Sequence, residues 1–214
     1  MPHVAVVIGG GSLDPDAVAG LPADTVIVAA DSGLDHAVAA GLHPAVLVGD
    51  LDSISAAGRM WAYEHGVRTV NAPTDKDVTD TEMALQAALD VPGIDQLTLV
   101  GGVGDRLDHL LGTLLALGHH RLAEVPNVRA FIGSTQCAVV HGGHSASLQL
   151  GPRRTFSVLA LHGAATGVSV SGARWALHDA TLGAAEARGV SNESIDDWVT
   201  VSGVTGVVTV VVPS

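Results

Sequence analysis

Four short acidic motifs hold the residues of this chain whose types and spacing could do chemistry. Asp31-Ser32-Gly33 follows the apolar run 25–30, and Gly49-Asp50-Leu51-Asp52-Ser53 follows 45–48. Asp75-Lys76-Asp77-Val78-Thr79-Asp80 precedes a helical pattern, and Arg106-Leu107-Asp108-His109 opens another just after 96–100. If the chain stays extended past Val48, alternation puts Asp50 and Asp52 on one side. Two carboxylates that close repel unless a cation or a proton stands between them. Mg2+ suits the pair, because it takes oxygen ligands and binds through one or two carboxylates plus substrate phosphates. The competing reading is a polar turn, since Gly-Asp and Asp-Ser are ordinary loop pairs.

The 75–80 segment has the same two sides. Asp77 or Thr79 can cap the following helix, with Asp80 and Glu82 at its positive end. Capping does not account for Lys76 among the acids, whereas a phosphate-bearing substrate does. Gly101-Gly102-Val103-Gly104-Asp105-Arg106 is a glycine-rich turn into a helix, where backbone amides can approach an anion and Arg106 offers a fork of donors. Asp105 as a plain N-cap is the alternative there. The spacing is neither the dinucleotide fingerprint nor a P-loop. Gly9-Gly10-Gly11-Ser12 is a second candidate phosphate loop. Eleven histidines show no zinc spacing, and His119-His120 reads as a helix end. Cys137 reads as a buried thiol, and Trp61 and Tyr63 as helix packing residues.

Elements that alternate strand and helix must position these motifs. Apolar runs at 4–8, 25–30, 45–48, 68–71, 96–100 and 128–132 read as strands buried on both faces. Helical patterns at 33–40, 55–65, 79–89 and 107–117 lie between them, which means βαβ units and a mostly parallel sheet. In such a sheet the strand carboxyl ends face one crevice, where ligands bind. After about Ser134 the pattern changes to short β-branched runs at 137–140, 145–150, 155–161, 168–171 and 207–212, split by Gly and Pro. That is the signature of an antiparallel sandwich or barrel. Only 175–185 hints at anything else. The expected organisation is an α/β catalytic domain over 1–133, three-layered with a mostly parallel sheet, and an all-β sandwich over 134–214.

Bulk properties narrow the function. In 214 residues, 47% hydrophobic, the formal net charge is −12 with only 10 Lys and Arg, which argues against nucleic acid. No apolar run approaches bilayer length. The single cysteine and an N-terminus without a basic leader point to a cytoplasmic protein.

Taken in order, D-S-G, G-D-L-D-S, D-K-D-V-T-D-T-E-x-A-L and G-D-R-L-D-H, then G-A-R-W-A-L and G-V-S-N-E in the β region, resemble the thiamine pyrophosphokinase family from Val4 to about Glu193. The resemblance implies transfer of pyrophosphate from ATP to the hydroxyl of thiamine, giving thiamine diphosphate and AMP. It implies Mg2+ held by Asp50, Asp52 and Asp80, with Arg106 also catalytic. Asp31, Ser32, Lys76, Thr79, Asp108 and His109 are implied at the nucleotide and phosphates, and Ser191 and Asn192 at thiamine. Trp175 matches an aromatic position of the family, for packing or for ligand contact. A homodimer with its active site at the interface is implied too. Ser32 and Asp105 stand where the family usually has glycine. Two alternatives share these motifs: a pyrophosphokinase for another primary alcohol, of hydroxymethyl-pterin type, and a nucleotide-binding homologue without catalysis.

Overall fold

Residues 2–71, 77–184 and 186–214 are described by the structure, a computed structural model. The chain divides into two compact units, Met1–Ala116 with Ala130–Gly133, and Leu117–Arg129 with Ser134–Ser214.

The first unit is built on five parallel strands, β1 (His3–Val7), β2 (Val26–Ala30), β3 (Pro44–Gly49), β4 (Arg68–Asn71) and β5 (Gln96–Gly101), in the order β5-β1-β2-β3-β4. β1 is buried along its whole length, as its unbroken apolar run requires. Its side chains alternate between two helical layers. Ala5 and Val7, with Ile27 and Ala29 of β2 and Leu47 of β3, belong to the core under α2 (Gly33–Ala39) and α3 (Ala56–Glu64), and Leu13 and Leu21, on either side of α1 (Pro15–Ala19), pack against it. α4 (Asp80–Leu89) packs across β1 to β3 and touches α5 (Leu107–Ala116), completing a three-layer α/β arrangement. Helix α1 escapes the apolar pattern because it has only five residues; its signals are the Asp14 cap and Pro15 in its first turn.

The second unit opens with a 3₁₀ turn at His120–Glu124, and β6 (Asn127–Ile132) divides between the units. The rest is all β: β7 (Thr135–His141), β8 (Ser145–Gln149), β9 (Thr155–Leu159), β10 (Ala165–Ser171), β11 (Leu177–Leu182), β12 (Asn192–Glu193), β13 (Trp198–Ser202) and β14 (Val207–Val212). These form two antiparallel arrays, β12-β9-β14-β7 and β11-β10-β13-β8. One core joins them, with Phe156, Val158, Val208 and Val210 from the first array and Leu148, Val168, Val170, Val199 and Val201 from the second. That is a β-sandwich.

Four sequence expectations change. β4 lies at the sheet edge with only Val70 half-buried, and β6 alternates buried with more exposed positions, so neither strand is buried on both faces as its apolar run suggests. The 175–185 stretch contains β11, an ordinary but mostly exposed strand that lacks a continuous apolar face. Tyr63 is no packing residue: it is 88% exposed, one position round α3 from the buried Ala62, while Trp61 packs against the α2–α3 core. His119 begins the 3₁₀ turn instead of ending α5, with its Nδ1 accepting from the Arg121 amide.

Candidate active site

Because the five strands of the first unit are parallel, the loops after β1, β2, β3 and β5 leave the same edge of the sheet. From β1 the chain steps outward to β4, then returns to the other side of β1 as β5, so the strand order reverses between β1 and β5. Such a reversal is where open α/β sheets bind ligands. The glycine turns that follow these two strands interlock there. A Cβ on Gly102 would lie 2.6 Å from the Gly11 nitrogen, and one on Gly10 would lie 3.0 Å from the Gly102 carbonyl oxygen. The backbones approach too closely for side chains on either loop. A side chain at Gly9 would run into the Ser32 hydroxyl.

Beside this reversal, at the ends of β2 and β3, Asp31, Asp50 and Asp52 come together. One carboxylate oxygen from each lies within 4.8 Å of the others. Asp31 and Leu51 both adopt positive φ, 44° and 65°, uncommon for residues with side chains and frequent at functional sites. Gly49, at φ 143°, leaves room for the Asp31 carboxylate. The Asp31 amide donates to the Val48 carbonyl (2.9 Å), and its Oδ1 accepts from the Leu51 amide (3.1 Å). Asp50 Oδ1 accepts from the Asp52 amide at 3.2 Å, and the Ser53 hydroxyl accepts from the Ser32 amide at 3.3 Å.

Electrostatically the cluster is overfilled with negative charge. Burial first, then the Asp80 carboxylate and to a smaller degree Asp50, push the Asp31 carboxyl from 3.8 up to about 6, against the Leu51 amide, which lowers it. Asp80, in the first turn of α4, therefore belongs to the same group. The structure places Asp31 in one acidic cluster with Asp50 and Asp52, whereas the family resemblance implies nucleotide contact for it. The signal was available: D-S-G and G-D-L-D-S end adjacent strands.

The other expected residues fare differently. Thr79 is the N-cap of α4 in a reciprocal capping box: its hydroxyl accepts from the Glu82 amide at 3.1 Å, and Glu82 Oε2 accepts from its amide at 2.8 Å. Lys76 lies outside the described residues. At the start of α5, Arg106 forks onto Asp108, Nε donating to Oδ1 at 3.1 Å and Nη2 to Oδ2, with both side chains largely exposed. That guanidinium holds the Asp108 carboxyl down at about 2. α5 begins at Leu107, which leaves Asp105 ahead of the cap position, and His109 is exposed.

In the second unit, Ser191 is exposed at φ 59°, its amide donating to the Ser157 hydroxyl at 3.1 Å. Asn192 is 6% exposed and its side-chain amide is engaged internally. Oδ1 accepts from the Trp175 and Glu193 amides (3.1 and 2.8 Å), and Nδ2 donates to the Trp175 carbonyl (2.9 Å). Asn192 thus holds Trp175, which is 56% exposed with the Arg174 guanidinium 5.0 Å from its ring centre. Motif spacing gave no sign of this clamp, since the two segments lie far apart in the chain.

Comparison with known proteins gives concordant results. Residues 21–128 match the family model "Thiamin pyrophosphokinase, catalytic domain", and 145–208 match "Thiamin pyrophosphokinase, vitamin B1 binding domain". Among solved structures, the fold is similar to thiamine pyrophosphokinase from Bacillus subtilis, with TM-score 0.81 and 22% identity over 99% of each chain. A thiamin pyrophosphokinase family protein from Enterococcus faecalis aligns with TM-score 0.78 and 24% identity over 99% of each chain. The enzyme from Candida albicans gives TM-score 0.75 and 15% identity, covering 100% of this chain and 89% of that one. No curated protein sequence matches.

Proposed function

This chain belongs to the thiamin pyrophosphokinase family, and from that premise we propose that its activity is centred on the aspartates at the ends of β2 and β3. It is a diphosphotransferase, a thiamine diphosphokinase that passes pyrophosphate from ATP to thiamine. The thiamine hydroxyl attacks the β-phosphorus and AMP leaves, so catalysis is mainly alignment and charge neutralisation.

The observation that carries the reading is the convergence of Asp31, Asp50 and Asp52 within 4.8 Å, at the carboxyl edge of a parallel sheet. The donor set is all oxygen, and the raised Asp31 carboxyl registers an excess of negative charge. Both features fit a hard divalent cation. Asp31, Asp50, Asp52 and Asp80 would hold Mg2+. When bound, it supplies neutralisation of the charge developing on phosphate oxygens. The Asp52 amide donates to Asp50 Oδ1, which helps to orient the Asp50 carboxylate. The interlocked glycine turns present backbone beside the phosphates. Arg106 is assigned to phosphate, with Asp108 orienting its fork, and Ser32, Lys76 and His109 to the nucleotide. Thr79 acts by capping α4 and so presenting Asp80. Ser191 is assigned to thiamine, and Asn192 acts through Trp175.

Two chains are proposed to pair, with the active site at their interface, in a cytoplasmic enzyme. Leu107, Leu111 and Leu115, four residues apart along α5, are 66%, 50% and 58% exposed, an apolar stripe of the kind a second chain covers. Among the described residues no helix is long and apolar enough to cross a membrane. Leu111→Glu should convert the dimer to a monomer in sedimentation; an unchanged mass rejects this stripe as the contact.

The deciding experiment measures AMP release from ATP and Mg2+ with and without thiamine, with the product identified by mass. Thiamine-dependent AMP together with thiamine diphosphate is the expected result. ATP binding without AMP release would replace it with the non-catalytic reading, and AMP released only with a hydroxymethyl-pterin would reassign the acceptor.

A further inference from the structure

The seven-residue loop from Gly49 to Ser55 carries two of the clustered aspartates, and the start of α2 grips it at alternate positions. Asp31 Oδ1 takes the Leu51 amide and the Ser32 amide reaches the Ser53 hydroxyl, at 3.1 and 3.3 Å. The third grip is the tightest. Asp35 Oδ2 accepts from the Ser55 amide at 2.9 Å, and its Oδ1 accepts from the Ser55 hydroxyl at 2.6 Å. Both oxygens of one carboxylate are thereby engaged by one residue. Ser55 is in turn the N-cap of α3, its hydroxyl accepting from the Gly58 amide at 2.9 Å.

The surroundings are shaped for this contact. A side chain at residue 58 would collide with Asp35 Oδ1, so Gly58 lets the first turn of α3 close on the carboxylate. The negative charge faces the positive end of that helix, a favourable placement. Between the grips, Ile54 is 2% exposed in the α2–α3 core, and its carbonyl accepts from Arg59 Nη2 at 2.9 Å. The exposed Asp52 is thus flanked by anchored residues. Asp35 anchors the far end of the loop at Ser55.

We propose that Asp35 is the positioning residue of the metal loop, holding Asp50 and Asp52 at the separation from Asp31 that a single cation can bridge. It acts through Ser55, whose amide and hydroxyl its carboxylate takes. The inference rests on the reading of Asp31, Asp50 and Asp52 as metal ligands. Carboxylates that support ligands from behind commonly change metal affinity by about 10- to 100-fold when removed. Asp35→Ala should therefore weaken metal binding by about tenfold, and Asp35→Asn, which keeps one acceptor oxygen, should weaken it less.

The test is titration of the full-length protein with Mn2+, read by electron paramagnetic resonance, with α,β-methylene-ATP present so that no turnover intervenes. Thermal melting is followed on the same samples. Weaker Mn2+ binding in Asp35→Ala, a smaller loss in Asp35→Asn, and a raised Mg2+ requirement with the thiamine KM unchanged at saturating Mg2+ are expected. A lowered Tm with wild-type Mn2+ affinity would reduce Asp35 to a helix-stabilising role and overturn the proposal. Should Asp35→Ala not fold, Asp35→Asn decides alone: native affinity refutes the proposal and weakened affinity at native Tm supports it. If Asp50→Asn binds Mn2+ as well as wild type, the metal reading itself fails, a result separable from failure of Asp35 alone.

Discussion

Two acidic turns of the first unit, at the same edge of the same sheet, resolve their charge in opposite ways. After β2 and β3, carboxylates face carboxylates, and Asp31 is driven up to about 6. After β5, Asp108 has Arg106 two residues away and falls to about 2. A charge that finds its counter-ion within its own motif is complete without a ligand, whereas one surrounded by like charges is poised for a cation. Equal density of acidic residues in the sequence therefore conceals unequal chemistry.

That contrast is open to experiment, most severely at Asp50. Asp50→Asn should lower turnover by about 10²–10³-fold, the scale of removing one element of transition-state charge stabilisation, with the fold retained by circular dichroism. Near-wild-type turnover at saturating Mg2+ would put the acidic turn on the same footing as the self-neutralised one. Next in size is Arg106→Ala, expected to raise the KM for ATP by about tenfold through loss of a charged fork on phosphate. Asp108→Asn should raise it by less, since only orientation is lost. A fall in KM would mean that Asp108 competes with ATP for the guanidinium. Melting temperature should not move in either variant, because an exposed pair contributes little to stability.

The smallest effect concerns the metal-free protein. Asp31 has a folded value near 6 against 3.8 when unfolded, so its ionised form is held at a cost above that range. Stability should rise as the pH falls through about 6 toward 3.8. Asp31→Asn removes the cost and should stabilise the metal-free chain at pH 7 by on the order of 1 kcal/mol, allowing for solvent screening. The advantage should shrink as the pH falls toward 3.8 and vanish below it, where the Asp31 carboxyl is protonated in the folded and unfolded chain alike. Denaturant melts at pH 7 and pH 4 give the answer, and an equal difference at both would remove charge as the cause.

Much of this was legible in the chain, and the reasons are physical. Strands β1 to β3 and β5 show because burial on both faces demands unbroken apolar runs. β11 hides because Leu177–Leu182 is mostly exposed, so no apolar period marks it. β13 alternates between buried and half-buried or exposed positions, and five residues of that pattern, Trp198–Ser202, are too short to stand out. At the site, motif order located the aspartates, since strand ends in a parallel sheet must converge. It could not say how each side chain uses its hydrogen bonds. Asn192 is held by the backbone of a residue 17 positions away, and Arg106 is turned onto its neighbour. Those choices depend on the distance between segments, which spacing along a chain does not encode.

The contact between Gly9 and Ser32 bears on how the chain can change over time. Ser32 fits because residue 9 has no side chain, its Cβ lying 3.6 Å from where one on Gly9 would begin, with the hydroxyl nearer still. The two positions are consequently not free to vary independently. A side chain at residue 9 needs the Ser32 hydroxyl to swing away or residue 32 to become alanine or glycine, because the Ser32 Cβ itself stands at ordinary contact distance. The order of the two steps matters, and a library that randomises position 9 should accept more residues in a Ser32→Ala background than with the serine kept.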